Sequence, residues 1–209
     1  MDSLLTLDDV RRALARPLPG GAAQLRMAAR PRSSPEELGH SGPPRIAAVL
    51  MLLFPRDGRL FLLLTKRTER VLDHKGQISL PGGSREEDDA TLWDTALREA
   101  HEEIGVAPDT VEYIGRLSDL YISRSHFRVS PFVGYTASRP HFVIHEEEVA
   151  EVIEMALDAL VDPATRREED WVWRGRIMTV PHYWYNGHII WGATAMMLSE
   201  LEEALRLID

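Results

Sequence analysis

Three glutamates near the middle of the chain have a spacing that could hold a metal ion. Glu99, Glu102 and Glu103 stand at positions i, i+3 and i+4. On an α-helix this spacing places the three carboxylates on an arc of about 100°. Like charges this close destabilise an isolated helix, whereas clustered carboxylate oxygens suit hard cations such as Mg²⁺ and Mn²⁺. The alternative interpretation is a solvated acidic face, which is common on helices.

The neighbouring residues predict the helix that would carry these carboxylates. The apolar residues that recur at helical spacing are Trp93, Leu97, Ala100 and Ile104. Gly105 is typical of the position after a helix C-terminus. One of the last acids in the run from Glu86 to Asp89 is expected to cap the N-terminus, where the helix dipole favours negative charge. The helix would bury its apolar stripe and present the glutamates on another side.

A glycine-rich turn, Pro81-Gly82-Gly83, directly precedes the acidic run. Glycine allows sharp turns and lets the backbone approach a ligand closely. We therefore expect this turn to add backbone groups to the site of the glutamates, which favours metal binding over a solvated acidic face.

From Gly83 to Val106 the chain resembles the Nudix box, which runs Gly-x5-Glu-x7-Arg-Glu-apolar-x-Glu-Glu-x-Gly-apolar. The match consists of Gly83 and the segment Arg98-Glu99-Ala100-His101-Glu102-Glu103-Ile104-Gly105-Val106. The chain departs from the pattern twice. Asp89 stands where the box has Glu, and one extra residue lies between Asp89 and Arg98. The Arg-Glu-x-x-Glu-Glu core is intact.

The resemblance implies an α/β (α+β) Nudix fold, in which a mixed β-sheet is sandwiched between α-helices. It also implies metal-assisted hydrolysis of a diphosphate linked to another group. Glu99, Glu102 and Glu103 would bind Mg²⁺ or Mn²⁺, with a backbone carbonyl near Gly83 as a further ligand. Arg98 would hold the glutamates through charge-assisted hydrogen bonds rather than touch the substrate.

The resemblance further implies a carboxylate that removes a proton from the attacking water. Glu102 is one candidate, and the acidic cluster from Glu146 to Glu151 supplies others. Within that cluster Glu148 and Glu151 are the candidate bases. Acids at a helix N-terminus would explain the cluster equally well.

Basic residues crowd into the segment before the glycine turn. They are Lys66, Arg67, Arg70, His74 and Lys75. Cations beside an acidic metal site could hold the outer phosphates of a substrate while the metal contacts the reacting one. Lys66, Arg67, Arg70 and His74 are the predicted substrate-binding residues. The alternative is a charged surface hairpin.

The same segment is similar to a signature of the coenzyme A pyrophosphatase branch of Nudix proteins, LLTxR(S/A)x3Rx3Gx3FPGG. The matching positions are Leu63, Leu64, Thr65, Arg67, Gly76, Pro81, Gly82 and Gly83. Thr68, Leu72 and Leu80 depart from it. If the arginine that Leu72 replaces grips phosphate, Arg70 or His74 would have to substitute. The implied substrate is coenzyme A or acyl-coenzyme A, cleaved to 3′,5′-ADP and 4′-phosphopantetheine.

Two alternatives remain open. The substrate could be another nucleoside diphosphate derivative, such as ADP-ribose or a dinucleotide, or a nucleoside triphosphate. The chain could also be a non-catalytic nucleotide-binding module on a Nudix scaffold, although an intact set of carboxylates argues against this. The oligomeric state stays open as well, with a homodimer as one alternative.

Composition limits the remaining function classes. The chain has 209 residues, a net charge of −9 and no cysteine. The charge argues against a nucleic-acid groove, and the lack of cysteine excludes disulfides and thiolate nucleophiles. The N-terminus does not resemble a signal peptide, and the longest apolar run, Ile46 to Phe54, is too short to span a bilayer. We therefore expect a cytoplasmic protein with a small nucleotide-derived substrate and no membrane or nucleic-acid partner.

The remaining pattern predicts the scaffold. Residues 1–44 are interpreted as an N-terminal helix and an irregular connector packed on the domain, and residues 45–209 as the Nudix domain. Ile46 to Phe54 and Leu60 to Lys66 predict a β-hairpin. Val111 to Leu120 and Phe127 to Tyr135 predict two more strands, and the loop Tyr121 to His126 between them could contact ligand.

Overall fold

The computed structural model describes residues 4–32, 38–68, 76–173 and 175–208. The helices are α1 (Leu7–Leu14), α2 (Gly20–Leu25), α3 (Leu92–Ile104), α4 (Leu157–Val161) and α5 (Gly192–Arg206). The strands are β1 (Arg45–Arg56), β2 (Arg59–Arg67), β3 (Ile78–Ser79), β4 (Gly82–Ser84), β5 (Glu112–Arg116), β6 (Leu120–Ile122), β7 (Phe127–Tyr135), β8 (Val149–Ala156), β9 (Arg166–Trp173), β10 (Arg176–Tyr185) and β11 (His188–Trp191).

The main sheet is built around β1. β1 and β2 form the predicted antiparallel hairpin, closed by Asp57 and Gly58. Both turn residues have positive φ, 50° and 73°, which is the conformation of a type I′ turn. β7 lies parallel to β1 on its other side. The sheet is therefore mixed, which confirms the predicted fold class.

Helices cover both faces of this sheet, so β1 is buried on both sides. Ala48, Leu50 and Leu52 belong to a core cluster that includes residues of α3. The alternate residues, including Met51 and Leu53, belong to a larger cluster that includes residues of α5. This two-sided burial explains why β1 is a nearly continuous apolar run rather than an alternating one.

The β1–β2 hairpin opens at the end that is distant from its turn. There β1 pairs with β4, and β2 pairs with β3 instead of with β1. The glycine turn at residues 81–83 therefore lies in the opening. Gly82 has a φ of 153°, and a Cβ at this residue would lie 2.3 Å from the carbonyl oxygen of Ala48. Only glycine fits this close approach between the two backbones.

Helix α3 confirms the predicted helix, but its N-cap differs from the prediction. Thr91 caps it, and its hydroxyl and Asp94 form a reciprocal capping box. None of the acids from Glu86 to Asp89 holds that position. The helix ends, as predicted, at Gly105, which has a φ of 72°.

Asp89 instead anchors the loop in front of α3. It is only 6% exposed. Its carboxylate accepts hydrogen bonds from the backbone N–H of Glu86, the hydroxyl of Thr95 and the guanidinium of Arg98. The hydrogen bonds from Arg98 are the main reason that the pKa of Asp89 falls to about 2. Asp89 therefore connects the loop to α3.

Two elements of the scaffold differ from the prediction. The stretch Val111 to Leu120 is not one strand, because β5 ends at Arg116 and β6 begins at Leu120. Asp119, in the break, accepts hydrogen bonds from Arg116 and from the Ser130 hydroxyl.

The second difference is α2, which lies within the predicted irregular connector. Helix α2 packs on α5, where the buried carboxylate of Glu200 accepts hydrogen bonds from Gly20 N–H and from the Gln24 side chain. The Ser199 hydroxyl donates to the Ala23 carbonyl. Tertiary contacts thus stabilise a helix that begins with two glycines. The division of the chain at residue 44 stays a prediction.

Strands β9, β10 and β11 form a separate three-stranded antiparallel sheet. Trp171, His182 and Trp191 pack against one another on it. Among the described residues, every helix is too short or too polar to cross a lipid bilayer.

Asp89 and its exposed neighbour Asp88 offer a matched test of the loop anchor. Asp89→Asn should lower the free energy of unfolding by about 2 kcal/mol at pH 7, because it weakens a buried charge-assisted pair. Asp88→Asn should change it little. Urea unfolding measures both.

The pH dependence gives a second readout of the same pair. Because the pKa of Asp89 is lowered in the folded state, its stabilising effect is present above the ordinary carboxyl pKa and is lost as the pH falls towards about 2. The difference between wild type and Asp89→Asn should shrink in that range. Equal stability of the Asp88 and Asp89 variants at pH 7 would contradict the anchor.

Candidate active site

Glu99 and Glu103 lie one turn apart on α3 and face the glycine turn. Glu103 is 3% exposed, and the side chain of Glu99 is 16% exposed. The backbone N–H of Gly82 lies near the Glu103 carboxylate, where it favours the charged form and opposes the rise in the Glu103 pKa. A Cβ at Gly83 would lie 2.4 Å from a carboxylate oxygen of Glu99. A side chain at Gly83 would therefore displace the Glu99 carboxylate from its position.

Burial makes the charge on both carboxylates unfavourable. It raises the pKa of Glu103 to about 8, although the positive charge of Arg67 opposes this and the charge of Glu99 adds to it. Burial also raises the pKa of Glu99, against the opposing effect of Arg98. Two buried and mutually repelling carboxylates are the ligands that a divalent cation stabilises in ionised form. The residues present therefore fit the predicted cation.

Arg98 connects the acidic groups of the site. Its Nη1 donates to Glu99 Oε1 at 3.1 Å and to Glu102 Oε2 at 3.0 Å. Its Nε donates to Asp89 Oδ1 at 3.0 Å, and its Nη2 donates to Asp89 and to the Ser84 carbonyl. Because Arg98 is itself bonded to Asp89 and Ser84 of the loop before α3, it holds the Glu99 side chain in one orientation. This is the arrangement expected of a residue that positions carboxylates.

Glu102 occupies a different environment from the buried pair. Its side chain is 56% exposed, and it accepts its hydrogen bond from Arg98. Among the described residues, no three carboxylate or imidazole side chains converge closely enough to form a complete metal cage. The site is therefore a buried pair, Glu99 and Glu103, with Glu102 at its rim. The role of Glu102 as a ligand stays a prediction.

The structure separates the two candidate bases. The charge of Glu148 lies close enough to contribute to the raised pKa of both Glu99 and Glu103. Glu151 is on β8 in register with Lys66, and its carboxylate lies 3.6 Å from His188 of the other sheet. Of the two predicted bases, Glu148 is thus the one beside the buried pair.

Two backbone contacts that sequence reasoning missed bring Glu148 to the site. The N–H groups of Val143 and His145 donate to the carbonyls of Ile104 and Glu103, both at 2.9 Å. These carbonyls are free because they end α3. The contacts join residues about forty positions apart, so no local pattern could have indicated them.

The predicted substrate-binding residues have different positions. Arg67 lies beside Glu103, and its N–H donates to the Gln77 carbonyl at 2.9 Å. Lys66 alternates along β2 with the same parity as Leu62 and Leu64, whose side chains pack on the α5 side of the sheet. Lys66 is therefore expected on the face opposite to α3. Arg70 and His74, like Leu72, lie outside the described residues.

Comparison with known proteins agrees with this geometry. A family model described as the NUDIX domain matches residues 44–177. The uncharacterized Nudix hydrolase NudL of Enterobacter sp. (strain 638) is 40% identical over 172 residues, which cover 82% of this chain and 86% of the relative. Nudix hydrolase 15 of Arabidopsis thaliana, described as mitochondrial, is 36% identical over 162 residues, which cover 74% of this chain and 56% of the relative.

A solved structure supports the fold alone. The crystal structure of RenU, a Nudix hydrolase from M. smegmatis, superposes with a TM-score of 0.52 at 19% identity, and the match covers 81% of this chain and 90% of RenU. Together with the family model and the relatives, the buried pair of glutamates beside its glycine turn leads to one conclusion: the chain belongs to the Nudix hydrolase family.

Proposed function

We propose that this Nudix hydrolase cleaves the diphosphate of coenzyme A or acyl-coenzyme A to 3′,5′-ADP and 4′-phosphopantetheine, with Mg²⁺ or Mn²⁺. The family as a whole hydrolyses pyrophosphate bonds in small nucleotide derivatives and generally uses divalent metals. The observation that carries the proposal is the burial of Glu99 and Glu103 against the glycine turn. A solvated acidic face would leave both carboxylates exposed.

The residues of the site divide the work of the proposed reaction. Glu99 and Glu103 hold the cation, and Glu102 and a carbonyl near Gly83 are further candidate ligands. The cation would neutralise charge on the diphosphate and lower the pKa of the attacking water. Arg98 keeps Glu99 oriented through charge-assisted hydrogen bonds.

Two further residues are proposed to act on the reactants. Glu148 is half-buried beside the carboxylate pair and would accept the proton of the attacking water. Arg67 adds positive charge at the end of β2, where it can hold a phosphate that does not react.

The preference for coenzyme A rests on the segment before the glycine turn. Thr65 and Arg67 of the matched signature lie at the end of β2 that opens onto the site. The departure at Leu72 keeps other nucleoside diphosphate derivatives as the second candidate. A direct substrate comparison separates them.

The cation ligands can be tested with one substitution and one control. Glu103→Gln should abolish metal-dependent hydrolysis, because a neutral amide cannot balance the cation charge. It should leave the fold intact, because it removes a buried charge. Glu87→Gln, at an exposed acid of the same chain region, should keep wild-type activity. Steady-state rates and thermal unfolding measure the outcome, and full activity of Glu103→Gln would remove the metal assignment.

The choice of base predicts unequal effects at two similar glutamates. Glu148→Gln should lower kcat about 100-fold, the lower end of the range for loss of a general base. Glu151→Gln, with its carboxylate beside His188, should lower it less than about threefold, since a distant surface charge has little effect on a buried site. Pre-steady-state rates with saturating metal give the comparison. The reverse order would transfer the role to Glu151.

A substrate panel tests the reaction itself. Coenzyme A, ADP-ribose, a dinucleotide and a nucleoside triphosphate should be incubated with Mg²⁺ and with Mn²⁺, and the products identified by mass spectrometry. We expect the highest kcat/KM with coenzyme A and the release of 4′-phosphopantetheine. Turnover of ADP-ribose without release of pantetheine phosphate would favour the second candidate. Nucleotide binding without any turnover would identify a binding module.

A further inference from the structure

The loop between β6 and β7 forms a basic rim together with the start of β1. We define the basic rim as His40, Arg45, Tyr121, His126 and Arg128. The backbone N–H of Arg45 donates to the His126 carbonyl at 2.9 Å. The guanidinium of Arg45 lies 4.0 Å from the ring centroid of Phe127 and donates to the Ser125 carbonyl. The rim is thus held together by contacts between β1 and the loop.

Two imidazoles in the rim have polar atoms that the fold leaves unpaired. The rings of His40 and His126 stack with centroids 4.6 Å apart. Tyr121 Oη lies 2.8 Å from His126 Nδ1. Both Nε2 atoms are buried and have no hydrogen-bond partner within the described part of the chain. When the Tyr121 hydroxyl donates, Nε2 of His126 carries an N–H without an acceptor, which is unfavourable for a buried group.

The backbone at His126 has a φ of 56°, in the left-handed region that is uncommon for residues other than glycine. Histidine, like asparagine and aspartate, adopts it more often than most side chains do. Non-glycine residues in this conformation occur at ligand sites as well as at ordinary turns.

Arg128 adds a positive charge that no acid in the described part of the chain balances. It is exposed and has no hydrogen-bond or ion-pair partner among the described residues. Asp119, the acid on the preceding loop, is already bonded to Arg116 and Ser130. In a chain with a net charge of −9, an unpaired arginine beside imidazoles makes a local attraction for anions.

Strand register places Arg128 on the same side of the sheet as the buried carboxylates. It belongs to the row of β7 that includes Phe132, which contacts Trp93 of α3. Gly83 pairs with Ala48, and Ala48 pairs with Ser130, two residues from Arg128. Two strand spacings across and two residues along give a Cα separation of about 12 Å between Gly83 and Arg128.

The surface between the carboxylates and the rim is partly open and mixed in character, because Ser130 there donates a hydrogen bond to the Asp119 carboxylate. Ile46 is 36% exposed and pairs with Arg128 across β1 and β7. A ligand whose diphosphate binds the cation at Glu99 and Glu103 could therefore place its nucleoside over Ile46. A further anionic group of that ligand would then lie at the rim. The long side chain of Arg128 can shorten the remaining distance.

We propose that the basic rim binds a terminal phosphomonoester of the substrate, which in coenzyme A is the 3′-phosphate of the ribose. This inference rests on the proposed function and extends it to a specificity site. A phosphomonoester is a dianion near neutral pH and accepts charge-assisted hydrogen bonds. Here the donors are the Arg128 guanidinium and the Nε2–H that His126 carries when its Nδ1 accepts the Tyr121 hydroxyl. ADP-ribose and dinucleotides with a free 3′-hydroxyl lack this group. The rim would therefore select coenzyme A over them.

The test compares coenzyme A with 3′-dephospho-coenzyme A, which keeps the diphosphate and loses the 3′-phosphate. Wild type should have a kcat/KM at least tenfold higher for coenzyme A, the size expected for one charge-assisted contact. Arg128→Gln and His126→Asn should each lower this ratio, mainly through the KM for coenzyme A. Asparagine tolerates the positive φ at residue 126, so the turn is kept. Arg176→Gln, an exposed arginine of the other sheet, should leave the ratio unchanged.

A binding measurement separates this inference from the reaction. Calorimetry without metal should show tighter binding of 3′,5′-ADP than of 5′-AMP, and Arg128→Gln should remove the difference. Inorganic phosphate should compete only weakly, because it lacks the nucleoside. If kcat/KM is equal for the two coenzyme A forms and the two nucleotides bind equally well, the basic rim does not bind the 3′-phosphate. The proposed reaction would be unaffected by that result. If wild type cleaves neither coenzyme A form, the proposed reaction is wrong. In that case the binding of 3′,5′-ADP and 5′-AMP alone shows whether the rim binds a phosphomonoester.

Discussion

The burial of Glu99 and Glu103 against the Pro-Gly-Gly turn is the constraint on which the rest of the site depends. Each carboxylate loses water on folding, and each repels the other, so burial raises the pKa of both groups. A fold selected only for stability would place apolar side chains here. Protonation removes the unfavourable charge, and a bound cation would stabilise the ionised form instead. This conflict between stability and position is typical of functional sites.

The scaffold serves to hold that unfavourable arrangement. The β1–β2 hairpin opens so that β4 can pair with β1, which brings the glycines under α3. Arg98 then joins Glu99 to Asp89, and Asp89 joins the loop to the helix. The backbone contact between His145 and Glu103 adds the loop that carries Glu148. Each of these connections holds one of the elements around Glu99 and Glu103 in place. None of them brings a positively charged side chain that pairs with both carboxylates.

Local patterns account for what could be predicted from the sequence. The apolar spacing in α3, its final glycine and the β1–β2 hairpin depend on neighbouring residues only, and all three predictions are confirmed. The N-cap was assigned wrongly because acids and threonine are both good caps, and Asp89 has a tertiary partner instead. Helix α2, the break between β5 and β6, and the different surroundings of Glu148 and Glu151 depend on packing between distant segments. A single sequence carries no local signal of those contacts.

If Glu99 and Glu103 together bind a divalent cation, anomalous diffraction from crystals grown with Mn²⁺ will locate it. We expect one strong manganese peak between the two carboxylates and beside the glycine turn, and no peak there in crystals of the Glu103→Gln variant. A manganese peak elsewhere on the chain, with the two carboxylates lacking a shared ion, would contradict this expectation.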